Sequence, residues 1–143
     1  MFLIGFPLLI IPLAIYNMIV FLTPGVQWTD QMTKVRMLSG AEWPVSFDDM
    51  LVMVSLFLLL VEIVKATRAD GKSMIDHLLS FLVFAIAAGE LLLVNQAANS
   101  TFVTVTAICL LDFLGGFAAS RRAARPVRVV EKAEPGAPGA AAG

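Results

Sequence analysis

Three carboxylates stand inside long apolar runs of this chain: Glu62 in LVEIV, Glu90 in AAGELL and Asp112 in LLDFL, with Asn17 a neutral companion in AIYNMI. An ionisable group at bilayer depth costs about 2.5–3.5 kcal/mol on insertion scales, so each requires a partner or a task. Two kinds of chemistry fit. A carboxyl in lipid is favoured as the neutral acid, which both donates and accepts hydrogen bonds and can therefore join two helices. Where water reaches it, the same group can pass protons, and Glu62, Asp112 and Glu90 then read as successive steps of a proton or cation path. Glu62 has a third option, an ion pair with Lys65 three residues on.

Other chemistry lacks its parts. With one histidine, His77, and one cysteine, Cys109, the chain can form neither a zinc-type cluster nor an intrachain disulfide. It has no phosphate-binding glycine loop and no nucleophile–histidine arrangement, so no catalytic residues, metal or cofactor are expected. The basic stretch after residue 120 is short and next to an apolar segment, which argues against nucleic-acid binding.

The elements that position these residues follow from composition. The chain has 143 residues, of which 59% are hydrophobic and 15% charged, against about 45–50% apolar in soluble domains. Segments of about 2–22, 47–66, 75–94 and 101–120 each fall within the roughly 17–25 residues that cross a core of about 30 Å. Backbone groups in lipid must be bonded internally, so these are helices. The expected fold is all-α: a four-transmembrane-helix bundle over 1–122 with a disordered Pro/Gly/Ala-rich tail over 123–143. No basic residue precedes the first segment and no small-x-small site follows it, so it reads as an uncleaved helix bent by Pro7 and Pro12.

With four crossings, Lys65, Arg68, Lys72, Arg121, Arg122, Arg125, Arg128 and Lys132 fall on one side and only Lys34 and Arg36 on the other. The positive-inside rule then makes both termini cytoplasmic in a bacterial inner membrane. SFDD at 46–49 and SMID at 73–76 read as serine caps with an acid three positions later, Asp70-Gly71 as a turn, and Asn99 or Ser100 as the cap of the fourth helix. The short AANS link makes helices three and four antiparallel neighbours.

In the long first outer loop, Trp28, Met32, Val35 and Leu38 recur at near-helical spacing and predict a short interfacial helix ended by Gly40. Trp28, Trp43, Arg121 and Arg122 are the expected interface anchors. On helix four, Thr101, Thr104, Val105, Cys109, Asp112 and Gly116 share a stripe suited to close packing, and Val103, Leu110, Phe113, Leu114 and Phe117 share one suited to lipid. Ala87 and Gly89 of helix three, and Gly115 and Gly116 of helix four, are expected to let neighbours approach. Measured by helix rise from their inner helix ends, Asp112, Glu90 and Asn17 lie at depths near enough for contact.

In outline, a long first outer loop and a tight last one on four helices, the chain resembles the small subunits of tripartite solute carriers. It is also similar in size to small multidrug resistance transporters, whose essential glutamate lies in the first helix, where this chain has only Asn17. The expected role is a non-enzymatic accessory or assembling subunit, partnered by lipid and by a second copy or a larger membrane subunit. The alternative is a proton-coupled transporter or channel component using the buried carboxylates.

Overall fold

Alternating apolar blocks and capping residues resolve into four α-helices and a small hairpin in the computed structural model, which describes residues 6–67 and 74–123. The order is α1 (Ile10–Leu22), β1 (Gln31–Arg36), β2 (Glu42–Ser46), α2 (Phe47–Ala66), α3 (Met74–Leu93), a 3-10 turn (Asn95–Ala97) and α4 (Ser100–Ala123). The expected tail, the Ser73 cap and the Asp70-Gly71 turn lie outside the described residues.

Helices α3 and α4 are long and apolar enough to cross a membrane. Helix α2 has the length but carries Asp48, Asp49, Glu62 and Lys65. Helix α1 is apolar but only 13 residues long. It starts later than the sequence suggests because Pro7 lacks an N–H and disfavours helix in the residue before it. The chain turns instead, with Ile10 N–H bonded to Pro7 O at 3.2 Å and Ile11 N–H to Leu8 O at 3.0 Å. Pro12 then falls in the first helical turn, where a missing N–H removes no intrahelical bond.

Helix α4 is the centre of the bundle and packs along both α2 and α3, while α1 touches α2 and α4 more lightly. Phe102, Val105, Ile108 and Cys109 of α4 form the core with Leu9, which precedes α1, Leu13 and Tyr16 of α1, Leu51 and Leu59 of α2, and Val83 and Ala87 of α3. The outward residues of α2 and α3 include Met53, Phe57, Leu60, Leu78, Leu82 and Ile86, all exposed. On α4 the expected hidden stripe is buried except Thr104, and Val103, Leu110, Leu114 and Phe117 are exposed as expected. The tight link sets α3 against α4: the Asn99 side chain caps α4, its Oδ1 accepting from Phe102 N–H at 2.9 Å. The cap at the start of α2 is also as expected, with the Asp49 carboxylate accepting from the Ser46 N–H at 3.2 Å and hydroxyl at 2.9 Å.

The outer loop is a correction. It folds as an antiparallel hairpin, with Thr33 opposite Val45, Lys34 opposite Pro44, Val35 opposite Trp43 and Arg36 opposite Glu42. Spacing of Met32, Val35 and Leu38 also fits a helix, but alternation decides between the two. Thr33, Val35, Trp43 and Val45 share one face; Lys34, Arg36, Glu42 and Pro44 share the other, where Lys34 lies 3.9 Å from Glu42. Branched and aromatic residues are favoured on such a pleated surface, and Met32 is the extra residue at a register shift between Gln31 and Thr33.

The turn has Met37 N–H bonded to Ala41 O at 2.8 Å and Gly40 N–H to Met37 O at 2.9 Å. Gly40 has φ +84°, with open space around the position of an added Cβ. Gly40→Ala therefore brings backbone strain without a clash, and is expected to cost the hairpin about 1 kcal/mol. Hydrogen exchange should show β1 amides exchanging about fivefold faster with α3 and α4 unchanged.

Candidate functional site

Two polar clusters tie separate segments of the chain together inside the bundle. At the hairpin end, Tyr16 of α1 is 1% exposed. Its ring stacks on Trp28 at 4.6 Å between centroids with an interplanar angle of 3°, and tilts against Phe102 at 4.5 Å. The hydroxyl donates to Gln96 O at 2.9 Å and accepts from Asn99 Nδ2. Asn99 thus bonds α1 through its amide nitrogen and caps α4 through its oxygen. One residue on from Tyr16, Asn17 Nδ2 donates to Glu90 Oε2 at 2.8 Å, tying α1 to α3.

The second cluster closes the start of α1. Glu62, 1% exposed, accepts from the Leu8 N–H at 2.6 Å and from Lys65 Nζ at 3.3 Å. Lys65 Nζ also donates to Phe6 O at 3.3 Å. Leu8 lies in the turn that leads into α1, where its buried N–H needs an acceptor, and the Glu62 carboxylate from α2 supplies one close to the partial positive charge of the helix start.

Asp112 is 3% exposed and is not a free carboxylate. Helices α2 and α4 start at the same end of the bundle, where Asp48, Asp49, Ser100 and Thr101 line one cleft. From there Asp112 lies about 18 Å along α4 and Glu62 about 22 Å along α2, a similar level. Glu90 lies only about 5 Å from the hairpin end of α3. The expected contact between Glu90 and Asp112 is therefore not made: the short link holds them about 13 Å apart along the axis. Val83, Ala87, Val105 and Cys109, all buried and apolar, fill part of the interval.

Of the packing residues, Ala87 and Cys109 are buried at 0% and 1% exposure, and Gly116 is buried. Gly89 and Gly115 correct the expectation for them within this chain, because a Cβ added at either would meet no atom within 4 Å. Trp28 serves as the stacking partner of Tyr16, and Trp43 lines the cleft with Asp48, Asp49 and Thr104. The Arg121 guanidinium sits over the Phe117 ring at 4.2 Å; the Arg122 side chain lies outside the described residues. Among the described residues no group of three or more His, Cys, Asp or Glu could hold a metal ion.

Sequence reasoning missed Tyr16, Gln96 and Leu8. Tyr16 was legible as the one tyrosine of the chain, next to Asn17 in an apolar helix, since a buried phenol needs a hydrogen-bond partner. Gln96 and Leu8 act through backbone atoms, which side-chain type does not announce. No protein-family model, curated protein or solved structure matches the chain.

Proposed function

We propose that this chain is a four-span protein of a bacterial inner membrane, with both termini cytoplasmic, serving as a non-enzymatic accessory or assembling subunit of a larger membrane complex. The observation that carries this reading is that half-buried Glu90 and buried Glu62 are each tied to another segment of the chain, at separate levels of the bundle. Glu90 is held by Asn17 and Glu62 by Leu8 and Lys65, with buried apolar residues between the levels. By helix rise Glu90 lies about 13 Å from the level of Asp112 and about 17 Å from that of Glu62, far beyond a hydrogen-bond reach of about 3 Å, and the buried hydroxyls of Ser55 and Thr106 in that interval donate to carbonyls of their own helices. These carboxylates serve as clasps between helices. Gly89 and Gly115, open on the bundle surface, supply positions where another membrane helix can come close.

The second reading, a proton-coupled component, draws on Glu62 and Asp112, two buried acids at similar depth. Vesicle measurements separate the two. Glu90→Gln keeps an oxygen for Asn17 and is expected to cost under about 1 kcal/mol; Asp112→Asn likewise preserves hydrogen bonding. Vesicles holding the wild type, E90Q or D112N should pass protons no faster than empty ones. Cross-linking in native membranes should join the chain to a second membrane polypeptide. Wild-type proton flux abolished by either substitution would overturn the subunit reading.

A further inference from the structure

A trough of about 460 Å³ runs between the first half of α3 and the last half of α4, at the end of the bundle away from the hairpin. Its walls include Leu78, Phe81, Phe113 and Phe117, and Arg121 lies at its rim. Phe81 and Phe113 meet at 5.3 Å between centroids and an angle of 54°, joining the two helices by their rings. Leu78, Phe81 and Phe117 are 66%, 46% and 45% exposed, so this is an open apolar surface. Its volume lies within the range of about 300–1,000 Å³ found for sites that take small ligands.

From this we infer that the trough holds an acyl chain of an anionic phospholipid, with the headgroup phosphate at Arg121. The inference rests on the membrane-spanning reading given above. Charge and shape together select this occupant. Arg121 is braced on Phe117, and among the described residues no carboxylate pairs with it. A guanidinium matches phosphate geometry with two parallel donors. The cation stands where the apolar run of α4 ends, so a lipid can place its chain and its phosphate in their preferred surroundings at the same time. A neutral lipid would fill the trough and leave the cation unmatched.

Native mass spectrometry of the delipidated full chain in mild detergent tests this, with phosphatidylglycerol and phosphatidylcholine of identical acyl chains as probes. Phosphatidylglycerol should be retained about fivefold more tightly, the effect of one basic residue near a membrane surface. Arg121→Gln should bring the two lipids to within about twofold of each other. Leu78→Trp, at an exposed position, should fill the trough and release both lipids with helical circular dichroism unchanged. Equal retention of the two lipids by the wild type, a preference surviving R121Q, or retention surviving L78W would each overturn the inference. So would a dimer lost in L78W, which would assign the trough to a second copy. Carbonate extraction is scored separately: a chain that stays in the membrane yet shows no lipid preference sinks this inference and leaves the membrane reading standing.

Discussion

Tyr16→Ala is expected to lower stability by about 4 kcal/mol, the largest effect of any single substitution considered for this chain. Loss of a buried aromatic side chain costs about 3–5 kcal/mol through lost burial and the cavity left behind. Tyr16 is 1% exposed and packs between Trp28 and Phe102, so its removal opens a void between the loop and α4. Its hydroxyl also links α1 to the α3–α4 connection through Gln96 and Asn99. Tyr16→Phe isolates that second contribution. It keeps the ring and removes the bonds, at about 1 kcal/mol. Thermal unfolding in mild detergent, followed by the near-ultraviolet dichroism of the tryptophans, reads both. The alanine variant should lose the signal of the stacked pair before unfolding begins, and the phenylalanine variant should keep it. A loss below about 1 kcal/mol for Tyr16→Ala would mean that this cluster is not the centre of the hairpin end.

Glu62→Ala is expected to cost about 3 kcal/mol, for a different reason. Removing one member of a buried charged pair leaves the other without compensation, at about 3–5 kcal/mol. The Lys65 side chain is 19% exposed and can reach water, which places the cost at the lower end of that range. The Leu8 N–H cannot do the same, because Leu8 is itself 7% exposed and, among the described residues, its bonded acceptor is Glu62 Oε1. Glu62→Gln retains an oxygen for Leu8 and gives up only the charge, so it should cost about 1 kcal/mol. Hydrogen exchange at Leu8 distinguishes this explanation from general destabilisation. The amide should exchange much faster in Glu62→Ala while amides near Glu90 keep their rates relative to one another. Equal losses in the alanine and glutamine variants would show that the bond to Leu8 does not hold the turn before α1.

The two clusters differ in how openly they were written in the chain. Glu62 and Lys65 are three residues apart on one helix, and any helix places such residues on the same face. Their pairing therefore needed no knowledge of neighbours. The bond from Asn17 to Glu90 joins residues 73 positions apart. Both were identifiable as polar groups in apolar surroundings, but their meeting depends on how α1 lies across the bundle. Depth measured from inner helix ends suggested Glu90 with Asp112. The tight 94–99 connection, capped by Asn99, slides α3 against α4 and removes that pairing.

Local interactions account for what could be read directly. The span of α2, from Phe47 to Ala66, agrees with its apolar run because the Ser46–Asp49 cap acts within four residues. The stripe on α4 that hides Asp112 follows from a period of 3.6, which is a property of one helix alone. Where two local patterns compete, the outcome rests on longer-range bonds. Residues 28–38 fit an amphipathic helix and residues 31–46 a hairpin, and the hairpin is the form in which Thr33, Val35, Trp43 and Val45 share a face while Gly40 turns the chain at positive φ. The helical character and the candidate polar residues are thus set by composition and short-range periodicity. The partner of each polar residue is set by the packing of helices distant in the chain, since a hydrogen bond acts over about 3 Å and sequence spacing specifies no distance between helices.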